Sequence, residues 1–226
     1  MIPRILAIDT SAALCSVALH NGVQQFFNTS VNTRRHADDL LAMVQGLLAE
    51  SGLTLSDLDA IAVVSGPGSF TGLRIGLAVA QGLAFGSDKG IITVSALAML
   101  ARCAASQLQS TQSSFAALMA AREQEYYLGV YQDALGQFPN CLLADQVIDA
   151  DDVRAALQGV PVGQLVFAGS DWRSLGIENS LECLPDARVL LSLAIQQFEK
   201  TGTIAPELAA LSYLKEELPY RTVEHQ

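Results

Sequence analysis

The hydroxyls best placed for chemistry are Ser69 and Thr71, carried by the turn Ser65-Gly66-Pro67-Gly68 into an apolar helix that runs through Gly86. A serine or threonine nucleophile needs a base beside it, and no histidine or lysine is placed by sequence to serve; Ser65-Gly66 is not a nucleophile elbow either. Thr71 is expected to be the N-cap of its helix. Phosphate binding fares little better. A Walker loop wants glycine five positions after the first and then lysine, whereas Gly66 is followed at that distance by Thr71 and Gly68 by Leu73. A dinucleotide fingerprint would need glycine at 71. The amides at the helix start keep anion binding as the weaker reading.

Metal chemistry lacks ligands at a useful spacing. His20, His36 and His225 are far apart, and Cys15, Cys103, Cys141 and Cys183 contain no CxxC pair. The cysteines read as buried thiols in a reducing compartment. The net charge of −10 (23 acidic against 13 basic residues), with Arg34-Arg35 the only adjacent basic pair, argues against direct RNA binding, which needs a basic footprint. No apolar run is long enough for a signal-peptide core or a membrane span, so a cytoplasmic location is expected.

What the glycine-rich segment does offer is shape. Gly72, Gly76, Ala80 and Ala84 recur every four residues and form one ridge of a helix on which another backbone can come close. Gly72, Gly76 and Gly82 cost that helix about 2 kcal/mol against alanine, so close packing has to compensate. Spacing alone leaves two readings open: packing against a partner helix, or packing inside the same domain.

The elements that position these residues follow from periodicity. Strands are expected at Arg4 to Asp9, Leu14 to Leu19 and Val23 to Phe27, with a tight turn at Asn21-Gly22. A helix at Ala37 to Glu50 follows, then strand Ala60 to Ser65, the glycine-rich helix, strand Ile91 to Val94 and helix Ala96 to Ala105. The order is βββαβαβα. Ser106 to Ser114 reads as a linker or helix tail. Strands at Phe115 to Ala120, Tyr126 to Gln132 and Phe138 to Ile148, a helix near Ala150 to Leu157, a strand at Gln164 to Ala168 and a helix near Ala187 to Phe198 repeat the early order. This is the layout of an α/β protein with two ribonuclease-H-like lobes, of the actin, sugar-kinase and Hsp70 type, divided as 1–105 and a smaller 106–226. An ATPase or small-molecule kinase is therefore the runner-up. Against it, Asp9 is followed by no glycine from Thr10 to Leu14, the strand Phe115 to Ala121 carries no carboxylate, and Ala168-Gly169-Ser170 keeps a single glycine. Asp9 reads as a structural strand end or a remnant.

With Ile5-Leu6-Ala7-Ile8-Asp9-Thr10-Ser11, Cys15-Ser16-Val17-Ala18-Leu19 and the run through Gly66 and Gly76, the N-terminal half closely resembles the TsaB (YeaZ) family of bacterial tRNA threonylcarbamoyladenosine biosynthesis proteins. The C-terminal half is similar more loosely, through Ala121-Arg122, Glu125-Tyr126-Tyr127 and Ser212-Tyr213-Leu214-Lys215, with Ala120 standing where the family has Asp. The resemblance implies a non-catalytic paralogue of TsaD, the enzyme that transfers the threonylcarbamoyl group, with the ATPase TsaE joining the assembly. Relatives labelled glycoproteases raise metal-dependent hydrolysis as a third reading, but the paralogue's histidine pair falls by resemblance on Ala96 and Leu100.

The resemblance together with the missing chemistry implies a scaffold with no catalytic residue, no metal or nucleotide site and no cofactor. Its expected partner interface comprises Gly72, Arg74, Ile75, Gly76 and Ala80 on the glycine-rich helix, and His36, Asp39, Met43 and Gly46 on the preceding one. Alone, the same surface is expected to pair with its own copy as a homodimer.

Overall fold

The computed structural model describes residues 2–30, 36–109, 113–132, 135, 137–160 and 164–214, with backbone only at 36–38. Arg34-Arg35, Lys215 and His225 lie outside them, as does the side chain of His36.

Three short apolar segments open the chain as antiparallel strands β1 (Ile5–Asp9), β2 (Cys15–His20) and β3 (Gln25–Ser30). The β2–β3 turn is wider than the Asn-Gly pair suggests. Asn21 to Gln24 form the loop, with the Asn21 side chain accepting from the amides of Val23 and Gln24, so the exposed Val23 falls outside the strand. Helix α1 (His36–Ser51), β4 (Ala60–Gly66), α2 (Phe70–Ser87), β5 (Gly90–Ser95) and α3 (Ala96–Leu108) complete the first half. Their strands line up as β3-β2-β1-β4-β5, with β4 and β5 parallel to β1 and to each other.

The second half repeats this plan. Antiparallel β6 (Ser114–Ala120), β7 (Glu125–Gln132) and β8 (Asn140–Asp149) are joined by parallel β9 (Leu165–Ala168) and the two-residue β10 (Ser180–Leu181), in the order β10-β9-β6-β7-β8. Reading each sheet from its third strand to its fifth gives the same sequence of roles, which is the ribonuclease-H-like topology occurring twice. The second copy is reduced. Helix α4 (Val153–Gln158) has six residues, and the β9–β10 connection is a 3-10 turn, Ser170–Leu175.

Alternation in the central strands sorts side chains to two faces of each sheet. Leu6, Ile8, Val17, Leu19, Ile61 and Val63 meet α1 and α2 on one face of the first sheet. Ile5, Ala7, Ala18, Ala62 and Ile92 turn the other way, into a core shared with α3, α5 (Ala187–Thr201) and the inner residues Phe115 and Ala117 of the second sheet. Helix α5 follows β10 in the chain yet packs on β1, β2, β4 and β5 of the first sheet. From there Ile204 bridges Ile91 at the edge of β5, and the Gln81 side chain donates to the carbonyls of Pro206 and Ala209. On the outer face of the second sheet, Trp172 is fully buried and its indole N–H donates to the carbonyls of Ala116 and Ala168, both at 3.1 Å. Among the described residues, no helix is long and apolar enough to cross a membrane.

Candidate functional site

Strand β1 delivers Asp9 to the point where the glycine turn folds back. The carboxylate is 2% exposed, and its Oδ1 accepts from the Ser11 amide at 2.9 Å and the Ser11 hydroxyl at 2.6 Å. Burial raises the acid to about 6, against the opposing pull of the Ser11 hydrogen bonds. The turn sits directly on this loop. The Ser69 amide donates to the Ser11 carbonyl at 2.7 Å, and Gly68, at φ +157°, lies so close that a Cβ would come within 2.6 Å of the same oxygen. Helix α2 begins at Phe70, and its N-cap is Ser69, whose hydroxyl accepts from the Gly72 amide; this corrects the expectation for Thr71, which lies exposed in the first turn. A phenylalanine can open a helix when the residue before it caps, and the sequence offered two hydroxyls two positions apart.

The small-residue ridge faces inward. Gly72 and Gly76 close on Thr10, where a Cβ on either would collide with the threonine carbonyl or hydroxyl oxygen, and Ala80 and Ala84 are fully buried over the first sheet. Of the two packing readings left open, the one inside the domain accounts for the ridge. Gly72, Gly76 and Ala80, expected at a partner interface, are therefore covered by the chain itself. Met43 is likewise 7% exposed in the same core, and Ile75 is half-buried against it. The half-buried Asp39 accepts from the Ser30 hydroxyl at 3.1 Å.

Two of the expected residues do face outward. Arg74 is exposed, with its guanidinium 3.7 Å from the centroid of the Phe70 ring and Nε and Nη2 each 3.3 Å from the Tyr213 hydroxyl. Gly46 is exposed on α1, with open space where a Cβ would stand. Around them lies a second small-residue ridge that the sequence reading passed over: Ala78, Gly82 and Gly86, again at four-residue spacing, all exposed. Gly82 and Gly86 also have open space at Cβ. Leu41, Phe70 and Phe85 are 46%, 56% and 62% exposed on the same two helices. The outward sides of the two helices thus carry bare backbone and three large apolar side chains. The signal was legible in principle, since two four-residue ridges share one helix and only one of them can face the sheet.

The other positions singled out by sequence lie away from the Asp9 loop. Ala96 and Leu100 lie one turn apart on α3 and are buried in the shared core. The end of β6 does meet a carboxylate, though not its own: Asp171 accepts from the Ala120 amide at 2.8 Å. Gly169 packs its Cα side onto the Leu118 carbonyl. His20 accepts from the Gly22 amide through Nδ1, and burial lowers its pKa. A groove of about 850 Å³ on the second half is lined by Tyr126, Arg154, Leu157 and Phe167 among others.

Comparison with known proteins gives a consistent answer. The family described as "TsaD: tRNA N6-adenosine threonylcarbamoyltransferase" matches residues 28–158. The tRNA threonylcarbamoyladenosine biosynthesis protein TsaB of Escherichia coli K12 is 35% identical over 227 residues, covering 96% of this chain and 97% of that protein. The protein of the same name from Haemophilus influenzae is 34% identical, covering 96% and 95%. Among solved structures, YeaZ from Pseudomonas aeruginosa superposes with a TM-score of 0.82 at 35% identity, covering 94% of this chain and all of that one. Near-complete coverage in both directions, at an identity well above background and with the doubled sheet topology in common, makes one conclusion: the chain belongs to the TsaB (YeaZ) family.

Proposed function

We propose that this protein acts in tRNA threonylcarbamoyladenosine biosynthesis as a non-catalytic subunit that docks and activates the TsaD-type transferase through the outer face of α1 and α2. The relatives that match along their whole length carry the name of that pathway, which supports the process. The observation that carries the mode of action is the exposed face itself, with Gly46, Gly82 and Gly86 bare beside Leu41, Phe70 and Phe85. A homologous helix pair can approach such a face to backbone contact. Arg74 and Gly46 keep their expected role at this interface, His36 and Asp39 belong to its rim, and Gly72, Ile75, Gly76, Ala80 and Met43 support it from beneath.

The absence of catalysis in this reading rests on Asp9, which is turned inward and engaged by Ser11. The division into lobes 1–105 and 106–226 belongs to the same proposal, with docking confined to the first. So do a cytoplasmic location, a TsaE-type ATPase joining through the complex, tRNA contact left to the transferase, and a homodimer formed through the same face when the partner is absent. The test is threonylcarbamoylation of tRNA by purified TsaD and TsaE, given ATP and threonylcarbamoyl-adenylate, with and without this protein. Activity that requires the protein and survives Asp9→Asn is the expected result. Equal activity without it would end the scaffold reading and return attention to ATP hydrolysis by this chain alone.

A further inference from the structure

Cys103 and Cys183 are 80 positions apart in the sequence and meet where α3 passes the segment that leaves β10 for α5. Gln107, one turn beyond Cys103, aims its amide nitrogen at Cys103 Sγ (4.0 Å), Cys183 Sγ (3.8 Å) and the Glu182 carbonyl oxygen (2.9 Å). The two sulfurs therefore converge on one amide nitrogen, each within 4.0 Å of it. Cys103 is half-buried and Cys183 is 6% exposed behind it. The neighbouring Cys183 thiol foremost, with the Leu184 and Gln107 amides behind it, holds the Cys103 thiol below its usual range. Cys183 shifts upward, through its hydrogen bond to Cys103 and its burial. The two other cysteines differ. Cys15 is buried on β2 and raised to about 11 by burial, and Cys141 is exposed on β8 with no second sulfur among its described contacts.

We propose that Cys103 and Cys183 form an oxidisable dithiol, a covalent modification site whose co-substrate is a low-molecular-weight disulfide such as oxidised glutathione. The Cys103 thiolate attacks one sulfur of the small disulfide, whose S–S bond breaks and whose leaving thiolate takes a proton from water. Cys183 gives its proton to solvent and attacks Cys103 Sγ, expelling the second small thiolate, which is protonated in turn. Two protein thiols are oxidised to one disulfide, and one small disulfide is reduced to two thiols. The bond would join α3, which touches both sheets, to the strand-to-helix segment by which the chain crosses back to the first sheet.

The protein is equilibrated in mixtures of reduced and oxidised glutathione, quenched with an alkylating agent, and read by intact mass and peptide mapping. The expected result is a protein carrying two fewer alkyl groups than the fully reduced control, with a single linked peptide pair, Cys103 to Cys183, and Cys15 still reduced. In Cys183→Ser the reaction should stop at a mixed disulfide on Cys103, and Gln107→Leu should slow closure several-fold in a protein that melts as the parent does. Full alkylation of both thiols in the most oxidising mixture would overturn the proposal. So would cross-linking of Cys103 to Cys141 or to another copy of the chain, or a closure rate indifferent to Gln107.

Discussion

Thr10 and Gly72 hold each other across 62 positions of sequence: the Thr10 hydroxyl donates to the Gly72 carbonyl oxygen at 2.7 Å, and the Thr10 carbonyl occupies the space a side chain on Gly72 would need. This contact pins the first turn of α2 to the end of β1. Gly72→Ala should therefore destabilise the fold by about 2–3 kcal/mol through overpacking against backbone. Gly82→Ala, in the same helix but facing open space, should gain about 1 kcal/mol. Urea midpoints for the two variants check the contrast; equal shifts would mean that α2 is oriented otherwise.

Asp9 makes stability depend on pH in an unusual direction. The folded state holds its proton more tightly than the unfolded chain, where the carboxyl titrates near 3.8, so the neutral form is the stabilising one. The contribution is complete below about pH 4 and is lost as pH rises through about 6. Relative to Asp9→Asn, which stays neutral, the parent should lose about 3 kcal/mol across that window. Denaturation curves of both proteins at several pH values would show the gap open with rising pH; a constant gap would mean the carboxyl titrates normally.

Trp172 is the single tryptophan, so its fluorescence reports on one place. Fully buried, with its ring 4.7 Å from that of Phe167 in an edge-on arrangement, it should emit at short wavelength and shift to the red on unfolding. Trp172→Phe leaves two carbonyls without their donor and a void beside Phe167, a cost of about 2–4 kcal/mol by differential scanning calorimetry. A change within experimental error would mean the indole hydrogen bonds contribute nothing net.

Interface variants must respect which ridge is which. Gly76→Trp would strike the Thr10 hydroxyl and disrupt folding, so it cannot report on docking. Gly46→Trp and Gly82→Trp project into open space, and each should fold normally while losing co-purification with a TsaD-type partner and any self-association. Retained binding in both folded variants would remove this face from the interface.

The order of elements was legible from apolar runs and stripes: Ile5 to Ile8 reads as a buried strand, and Leu40, Leu41, Val44, Leu47 and Leu48 read as a helical stripe, of which the structure turns Leu41 outward. The six-residue 3-10 turn Ser170–Leu175 and the two-residue β10 are too short to carry a period. Position on a helix was legible, but direction was not. Met43 and the Gly72 ridge share their spacing with residues that face solvent, and only packing on the first sheet, with Thr10 against Gly72 and Gly76, decides which side is inward. The same limit applies to α5, where periodicity announces a helix and says nothing of which sheet it will cover. Cys103 and Cys183 likewise met only through folding, since no local spacing connects them.

The placement of α5 also sets an order of events during synthesis. The apolar face formed by Ile5, Ala7, Ala18 and Ile92 is complete in sequence early, but the part of its cover that comes from Leu190, Leu191 and Ala194 arrives more than 90 residues later. A nascent chain stopped after α3 carries a partly open, sticky sheet, and the first sheet cannot reach its final stability until α5 has also left the ribosome. Truncation from the C-terminus should thus be felt most in the half of the molecule that was made first.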